Sequence, residues 1–223
     1  QGEIEKRFFI DERKTHKGIR LTTNFHQLTE GMQYQNLKLE TDARWNLVEQ
    51  GWAMGVSRNL IAVEHDEQDN MLFSIQNNRR VDITSCRDSL NGYQKGRCFY
   101  CFSPISVETG DANLADVDHF IPWMLKDQVR NVNGVWNLVL ACKCCNRGKQ
   151  RKFAHVPTLK LLQRLHDRNE YFITSHLPLR ETLMRQTGAS TVKRHDFLSN
   201  VWNTARVNLF HEWEPMAAGP DTF

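Results

Sequence analysis

Two pairs of cysteines stand out in this chain, because the spacing within each pair is suited to binding a metal. Cys98 and Cys101 form the first pair, and forty residues separate it from the second pair, Cys142 and Cys145. Two cysteines three positions apart lie on one tight turn, so their thiolates can reach the same ion, and four thiolates complete the tetrahedral coordination of a structural zinc. Cys144 could also pair with Cys142, but the commoner C-x-x-C spacing favours Cys145.

The composition supports metal ligation over disulfide bonding. At 223 residues the chain is longer than a disulfide-stabilised miniprotein, and no charged and apolar leader opens it. Its hydrophobic content of 40% and charged content of 25% are typical of globular proteins, and no apolar run reaches the roughly 18 residues of a membrane span. We therefore expect a protein of the reducing cytoplasm, or one associated with the nucleoid, without a membrane segment. Cys86, the remaining cysteine, is expected to be buried.

A second group of polar residues lies between and beside the cysteine pairs. Asp118 and His119 are adjacent, Asn137 follows, and Asn146 comes directly after the last cysteine. Carboxylate and amide oxygens are hard ligands suited to Mg²⁺ or Mn²⁺, and a histidine with an ordinary pKa of about 6.5 can accept a proton at pH 7. An adjacent Asp and His on a strand could instead form a structural pair. Asp116, on the same strand face as Asp118, could be an auxiliary ligand, although we expect it to be exposed to solvent.

Taken together, these residues resemble the HNH endonuclease family. The resemblance is carried by Asp118-His119 followed by Pro122, then Asn137-Leu138, then a C-x-x-C pair followed by Asn146-Arg147-Gly148-Lys149. It covers residues 97–152, roughly a quarter of the chain. The family's nuclease motif is called ββα-metal, so the resemblance implies an α+β fold. We expect an HNH core with a structural zinc, flanked by a mixed N-terminal region and a helical C-terminal region.

The resemblance also implies a role for each motif residue. His119 would be the general base that activates water, and Asp118 and Asn146 would hold a single catalytic Mg²⁺ or Mn²⁺ ion. Asn137 would tie down the loop that orients the histidine. The four paired cysteines would hold the structural Zn²⁺. The implied reaction is hydrolysis or nicking of DNA that leaves 5′-phosphate and 3′-hydroxyl ends.

Positive charge is concentrated after the second cysteine pair. Residues 143–170 contain eight basic residues and two acidic ones, although the net charge of the whole chain is only +3. A local basic stripe attracts phosphate, and the helix expected to begin at Asn146 would present its N-terminal amides to an anion. We therefore predict nucleic-acid contacts from four residues, although a solvated helix face is the alternative. They are Arg147, Lys149, Arg151 and Lys152.

The N-terminal part of the chain shows mixed structural signals. Apolar residues at helical spacing predict a helix over residues 41–57. Two apolar, β-prone runs, at 60–63 and 71–75, predict a hairpin whose acidic turn spans residues 65–70. A short helix is predicted over residues 82–93.

The C-terminal part has helical periodicity. Leu159, Leu162 and Leu165 mark one helix with a proline in its first turn, and a second helix is predicted over residues 179–185, ending at Gly188. A third is predicted over residues 191–212. Its apolar face would be formed by Phe197, Val201, Ala205 and Leu209. The tail, 215–223, is rich in small residues and proline, and we expect it to be disordered.

These patterns predict three regions and one main function. Residues 1–95 would form an N-terminal region of unknown role, 96–155 the HNH nuclease core, and 156–223 a C-terminal helical region. The predicted function is that of a metal-dependent endonuclease acting on DNA, with a restriction or phage-defence effector as the expected role. The alternatives are a zinc-dependent nucleic-acid-binding module without catalysis, and a ribonuclease or toxin with the same motif. Because residue 1 is Gln, we also expect a missing N-terminal domain or a regulatory protein partner.

Overall fold

A computed structural model of the chain divides it into two compact units, residues 1–38 and 39–223. The described residues are 7–31, 34, 41, 45, 64–66, 71–76, 79–82, 87–149, 151–175 and 179–216. None of the helices in these residues is both long enough and apolar enough to cross a membrane. The division into three regions at residues 95 and 155 stays a prediction.

The first unit is a small hairpin followed by a helix. Strands β1 (Phe9–Glu12) and β2 (Gly18–Leu21) pair in antiparallel fashion, and helix α1 spans Thr23–Glu30. Ion pairs from Arg20 to Glu12 and from Arg13 to Asp11 lie on this hairpin. Every described residue from 7 to 31 is at least partly exposed, so these residues form no buried core.

The second unit contains a three-stranded antiparallel sheet, which confirms the predicted hairpin in part. Its strands are β3 (Glu64–Asp66), β4 (Met71–Gln76) and β5 (Arg79–Asp82). The hairpin is shifted along the chain, because His65, predicted to lie in the turn, pairs with Leu72 within the sheet. The run 60–63 lies outside the described residues, as do Cys86 and all of the predicted helix 41–57 except its residues 41 and 45.

The centre of the second unit is a β-hairpin followed by a short helix. Strand β6 (Asp116–His119) pairs antiparallel with β7 (Leu138–Ala141), and the helix α3 (Lys143–Arg147) follows directly. All four residues of β7 are buried. This strand–strand–helix order, together with the other helices and small sheets, confirms the predicted α+β class.

Helix α2 (Arg87–Gln94) covers the open edge of β7 and supplies hydrogen-bond partners for the backbone groups at that edge. The side-chain amide of Gln94 donates to the carbonyl oxygen of Leu140 at 2.7 Å and accepts from its N–H at 2.9 Å. A neighbouring strand would make the same two hydrogen bonds. The predicted helix 82–93 is therefore confirmed from Arg87 onward and continues through Gly92 to Gln94. Its predicted start was wrong, because Asp82 belongs to strand β5.

Three helices follow the central motif, as predicted. They are α4 (Leu159–Thr174), α5 (Arg180–Thr187) and α6 (Thr191–Asn208). Helix α5 ends at Gly188, whose φ of 132° is a conformation that favours glycine.

The last helix differs from its prediction in length and in its buried face. It ends at Asn208 instead of residue 212, and its buried side chains include Leu198 and Trp202, whereas Phe197 and Val201 are only partly buried. The most buried side chains of α6 differ from the predicted ones because Trp202 is inserted into the core. There its ring N–H donates to the carbonyl oxygen of Pro157 at 2.8 Å.

A two-residue parallel pairing connects the end of the central motif to the end of the described chain. Strand β8 (Val156–Pro157) pairs with β9 (Glu212–Trp213). Pro157, predicted in the first turn of a helix, is therefore in a strand, and Thr158 is the N-cap residue of α4. A proline fits here because a short edge strand does not need its N–H. Most of the predicted disordered tail, residues 217–223, lies outside the described residues.

Candidate functional site

The four paired cysteines form one cluster. The sulfur atoms of Cys98, Cys101, Cys142 and Cys145 all lie within 4.8 Å of one another, and those of Cys101 and Cys142 are 3.6 Å apart. Tetrahedral Zn–S bonds of about 2.3 Å place two sulfurs about 3.8 Å apart, so the cluster is compatible with a zinc site. Cys144 is exposed and outside the cluster, which confirms the choice of Cys145.

Backbone hydrogen bonds fold the first cysteine pair into its tight turn. The N–H of Phe102 donates to the carbonyl oxygen of Cys98 at 3.0 Å, and the N–H of Cys98 donates to that of Ser103 at 2.8 Å. Phe102 has a φ of 62°, which is uncommon for a residue with a large side chain. In the second pair, the N–H of Cys145 points to the sulfur of Cys142, the N-cap residue of α3. Both turns therefore direct their sulfurs inward.

The cluster separates its thiol groups into two that ionise easily and two that do not. A hydrogen bond from Cys145 lowers the pKa of Cys142 to about 2, and one from Cys98 lowers the pKa of Cys101 to about 6. Hydrogen bonding to Cys101 raises the pKa of Cys98, and hydrogen bonding to Cys142 raises the pKa of Cys145. Because metal binding requires four thiolates, binding zinc would release the protons held by Cys98 and Cys145.

Asp118 lies in β6, and both of its contacts involve the same carboxylate oxygen. The hydroxyl group of Tyr100 donates to Oδ2 at 2.6 Å, and Nζ of Lys152 lies 3.5 Å from the same atom. Burial, followed by the charge of Asp118, raises the pKa of Tyr100 well above its ordinary value, so the phenol remains a donor. Among the described residues, Oδ1 of Asp118 has no hydrogen-bond partner.

Asp116 is buried, which corrects the expectation that it is exposed. Only 3% of its surface is accessible, and the guanidinium group of Arg147 donates two hydrogen bonds to its carboxylate. The same contact raises the pKa of Arg147. The side-chain Nδ2 of Asn146 also donates to Oδ2 of Asp116, at 3.1 Å. The amide oxygen of Asn146 is left as the atom without a hydrogen-bond partner among the described residues.

His119 is buried at the end of β6 and is oriented by a side chain from the following loop. Its Nε2 lies 2.9 Å from Oδ1 of Asn133. An amide oxygen can only accept, so Nε2 carries the proton in this contact. A neutral imidazole protonated on Nε2 has its lone pair on Nδ1, the atom that could accept a proton.

Asn137 ties down the loop that runs from His119 to Asn133. It is completely buried, and its Oδ1 accepts from the N–H of Ile121 at 2.7 Å. Its Nδ2 donates to the carbonyl oxygens of Ile121 and Val132, at 2.9 and 2.8 Å. These contacts fit the supporting position that the family resemblance implies for Asn137, since they fix both ends of the loop.

The four predicted nucleic-acid contacts do not share one environment. Lys149 and Arg151 are exposed, and the guanidinium group of Arg151 lies 4.6 Å from the ring centre of Phe153, which is itself exposed. Arg147 is mostly exposed but bound to Asp116. Lys152 is 2% exposed and directed toward Asp118. Two of the four residues are therefore available at the surface, and one contacts the candidate catalytic carboxylate.

Two of the basic residues assigned to the predicted stripe are also buried. Arg164 donates from Nη1 to the carbonyl oxygen of Phe99 at 2.7 Å, and Arg168 donates from Nη1 to that of Leu138 at 2.8 Å. Burial lowers the pKa of Arg168 to about 9. These two guanidinium groups donate hydrogen bonds to backbone carbonyl oxygens and are not available to a partner. The interpretation of residues 143–170 as one continuous basic stripe is therefore wrong.

Three further residues hold the candidate site together, and only Asp116 among them was considered from the sequence, as a possible auxiliary ligand. Tyr100 had a signal, because a tyrosine inside a C-x-x-C turn is carried into the core with its hydroxyl group. Asp116 had a signal in its position two residues before Asp118 on the same strand face. No sequence pattern indicated that Asn133 contacts His119, since the loop that carries Asn133 has no periodic pattern.

Comparison with known proteins agrees with this geometry. A family model described as HNH endonuclease matches residues 98–155, which contain both cysteine pairs and strands β6 and β7 with helix α3. No curated protein and no solved structure matches the chain significantly. The match confirms the family resemblance, and it shows that residues 98–155, about a quarter of the chain, are similar to HNH endonucleases.

Proposed function

We propose that this protein is a metal-dependent endonuclease that hydrolyses DNA, with His119 as the general base and Asp118 and Asn146 as ligands of one Mg²⁺ or Mn²⁺ ion. One observation carries the proposal. Each of the two ligand side chains has one end held by hydrogen bonds and one oxygen, Oδ1, that has no partner among the described residues.

The chemistry of these two oxygens fits a hard divalent cation. Asp118 offers a carboxylate oxygen and Asn146 an amide oxygen, and both types bind Mg²⁺ or Mn²⁺ in protein sites. The hydrogen bond from Nδ2 of Asn146 to Asp116 sets the amide so that its oxygen, not its nitrogen, is available. A cation bound there would stabilise the negative charge that develops on the phosphate during hydrolysis.

His119 supplies the proton transfer in this proposal. Nδ1 would take a proton from the attacking water, and the hydrogen bond from Nε2 to Asn133 would hold the ring in the required tautomer. The resulting imidazolium would keep that hydrogen bond, because Nε2 remains a donor in both states. Asn137 supports this arrangement by holding the loop on which Asn133 lies.

The substrate would be bound through its phosphates. Lys149 and Arg151 are exposed just beyond helix α3, and Arg147 is partly exposed beside them. Such contacts position a nucleic acid without reading its sequence. Lys152 is given a different role from the one expected, since its ammonium group lies near Asp118 and balances that carboxylate's charge.

The four-cysteine cluster would hold a structural Zn²⁺ ion. All four ligand positions are occupied by protein sulfurs, which is the arrangement of a closed structural site. Because Cys98 and Cys142 lie forty-four positions apart, the ion would join the turn before β6 to the helix after β7. Replacement of Cys98 by Ser should therefore lower both the zinc content and the yield of folded protein.

Plasmid cleavage tests the proposed function directly. Supercoiled DNA incubated with the protein and Mg²⁺ or Mn²⁺ should become nicked or linear, and His119→Ala should reduce the rate at least about a hundredfold while leaving zinc content unchanged. His195→Ala, at an exposed position of α6, is the matched control and should cut at the parental rate. Cleavage by His119→Ala at the parental rate would show that the assigned base is wrong.

The same assay separates the remaining alternatives. Labelled DNA and RNA offered side by side distinguish a DNA nuclease from a ribonuclease or toxin. Nucleic-acid binding without any cleavage, with Mn²⁺ present and zinc bound, would favour a binding module. A role in restriction or phage defence, and a regulatory protein partner, stay predictions.

A further inference from the structure

Tyr100 connects the cysteine cluster to the candidate catalytic carboxylate. It lies between Cys98 and Cys101, and its hydroxyl group donates to Oδ2 of Asp118 at 2.6 Å. The two sites are otherwise built from different chemistry, sulfur in one and oxygen in the other. A single side chain therefore spans from the turn that carries two sulfur ligands to an oxygen ligand.

The position of this tyrosine is fixed on several sides. Its side chain is completely buried, and its ring meets the ring of Trp213 edge-on, with centroids 5.1 Å apart. Its backbone carbonyl accepts a hydrogen bond from Nη1 of Arg164 at 3.1 Å. With ring and backbone both held, the hydroxyl group has little freedom to leave Asp118.

The contacts of Asp118 are arranged asymmetrically. Tyr100 and Lys152 both approach Oδ2, and Oδ1 has no partner among the described residues. A short, directional hydrogen bond to one oxygen restrains rotation of the carboxylate, while the ammonium group at 3.5 Å adds charge with less directional demand. The tyrosine is therefore the contact that sets the orientation of Oδ1.

We propose that Tyr100 is a positioning residue for the divalent-cation site. Its hydroxyl group holds Oδ2 of Asp118 so that Oδ1 is presented as a ligand, and its place in the cysteine turn makes that alignment depend on a correctly formed zinc cluster. The inference rests on the proposed function, because it takes Asp118 as a cation ligand. Partners that orient metal ligands in this way typically contribute tenfold to a hundredfold in metal affinity, on the order of the effect expected here.

Tyr100→Phe is the decisive variant, because it removes one oxygen atom and retains the buried ring. Tyr93→Phe is the matched control, since Tyr93 is also buried and lies on helix α2. Mn²⁺ binding is measured by electron paramagnetic resonance without nucleic acid, and zinc content by elemental analysis. We expect Tyr100→Phe to bind Mn²⁺ about tenfold more weakly with unchanged zinc, and Tyr93→Phe to bind as the unaltered chain does.

Asp118→Asn separates failure of this inference from failure of the proposed function. If the unaltered chain binds Mn²⁺ and Asp118→Asn does not, the cation site is supported. Unchanged Mn²⁺ affinity in Tyr100→Phe would then overturn the role of the tyrosine alone. If the unaltered chain does not bind Mn²⁺, or Asp118→Asn binds it equally well, both proposals are wrong. In cleavage assays, Tyr100→Phe should lose rate at limiting Mn²⁺ and recover most of it at saturating Mn²⁺.

A measurement on the unaltered chain covers the case in which Tyr100→Phe does not fold. In protein carrying isotope-labelled tyrosine, a buried hydroxyl proton bonded to a carboxylate exchanges slowly with water and gives its own nuclear magnetic resonance signal. Adding Mg²⁺ should shift the signal of Tyr100 and leave that of Tyr93 in place. A Tyr100 signal that stays fixed while Mg²⁺ saturates the site would overturn the proposal.

Discussion

The segment 143–153 and the helix α4 carry the same kinds of cation and use them in opposite ways. In the segment, Lys149 and Arg151 point into solvent. On the helix, Arg164 and Arg168 lie one turn apart on the buried face and donate to backbone carbonyl groups. The segment holds five basic residues and no acidic one, and the helix holds three basic and two acidic residues. Lys149 and Arg151 are available to a partner, whereas Arg164 and Arg168 are not.

The difference follows from what each region covers. Helix α4 covers irregular backbone, the turn at Phe99 and the approach to β7, where carbonyl groups have no ladder partner. Buried carbonyls need donors, and the five N–H groups of a guanidinium can serve several at once. Residues 148–153 cover no such backbone with their exposed side chains. A run of basic residues therefore predicts a phosphate-binding surface only where its side chains do not donate hydrogen bonds to buried carbonyl groups.

The largest effect expected from this comparison is that of Arg168→Met. The change removes donors to the carbonyl oxygens of Leu138 and Trp136 in a fully buried place, so the free energy of unfolding should fall by about 3 kcal/mol. Urea denaturation with zinc bound measures it. A variant as stable as the unaltered chain would mean that the buried guanidinium is dispensable, and the contrast between the two regions would be lost.

Arg164→Met should have a smaller effect on stability and a specific one on zinc. Loss of the hydrogen bonds to Phe99 and Tyr100 should lower the free energy of unfolding by about 2 kcal/mol and speed the transfer of zinc to a coloured chelator. Arg185→Met, at an exposed position on α5, is the control and should change neither quantity. Zinc release at the control rate would contradict the link between this arginine and the cysteine turn.

The paired change Lys149→Ala with Arg151→Ala tests the other side of the comparison. The free energy of unfolding should change by less than about 0.5 kcal/mol, because both side chains are exposed. Each lost phosphate contact should reduce the slope of log affinity against log salt by about 0.9, so the pair should reduce it by nearly two. An unchanged salt dependence of DNA binding would remove these residues from the proposed nucleic-acid surface.

The smallest effect is expected from Lys143→Ala. The ammonium group of Lys143 donates to the carbonyl oxygen of Ala112 at 2.8 Å. Because this hydrogen bond is exposed, water can replace the ammonium group as the donor. The free energy of unfolding should change by no more than about 0.5 kcal/mol in the same urea experiment. A loss of free energy of unfolding comparable to that of Arg164→Met would show that Lys143, like the buried arginines, stabilises the fold.

Local spacing in the sequence was enough to predict the cysteine cluster. Two C-x-x-C turns constrain their own sulfurs, and a single pairing of β6 with β7 brings the turns together. The end of α5 was equally predictable, because Gly188 is a local stop signal.

Features that depend on distant partners could not be predicted in this way. The burial of Asp116 depends on Arg147, thirty-one residues later, and the direction of Lys152 depends on Asp118. Strand β9 has two residues and forms only because the chain returns to β8. The predicted face of α6 does pack against the core, but Trp202 was not predicted to be buried, since the acceptor for its ring N–H lies forty-five residues away. In each case the sequence indicated the residue type but not the partner.

The short parallel pairing between β8 and β9 has a practical consequence for expressing the segment that matches the family model as a fragment. A fragment trimmed to residues 98–155 would lack Arg164, Arg168 and Trp213, which cover the backbone and the ring of Tyr100 and the approach to β7. The minimum autonomous piece should therefore extend through Trp213. The segment that matches the family model therefore ends at residue 155, before the residues that we expect an independently folding fragment to need.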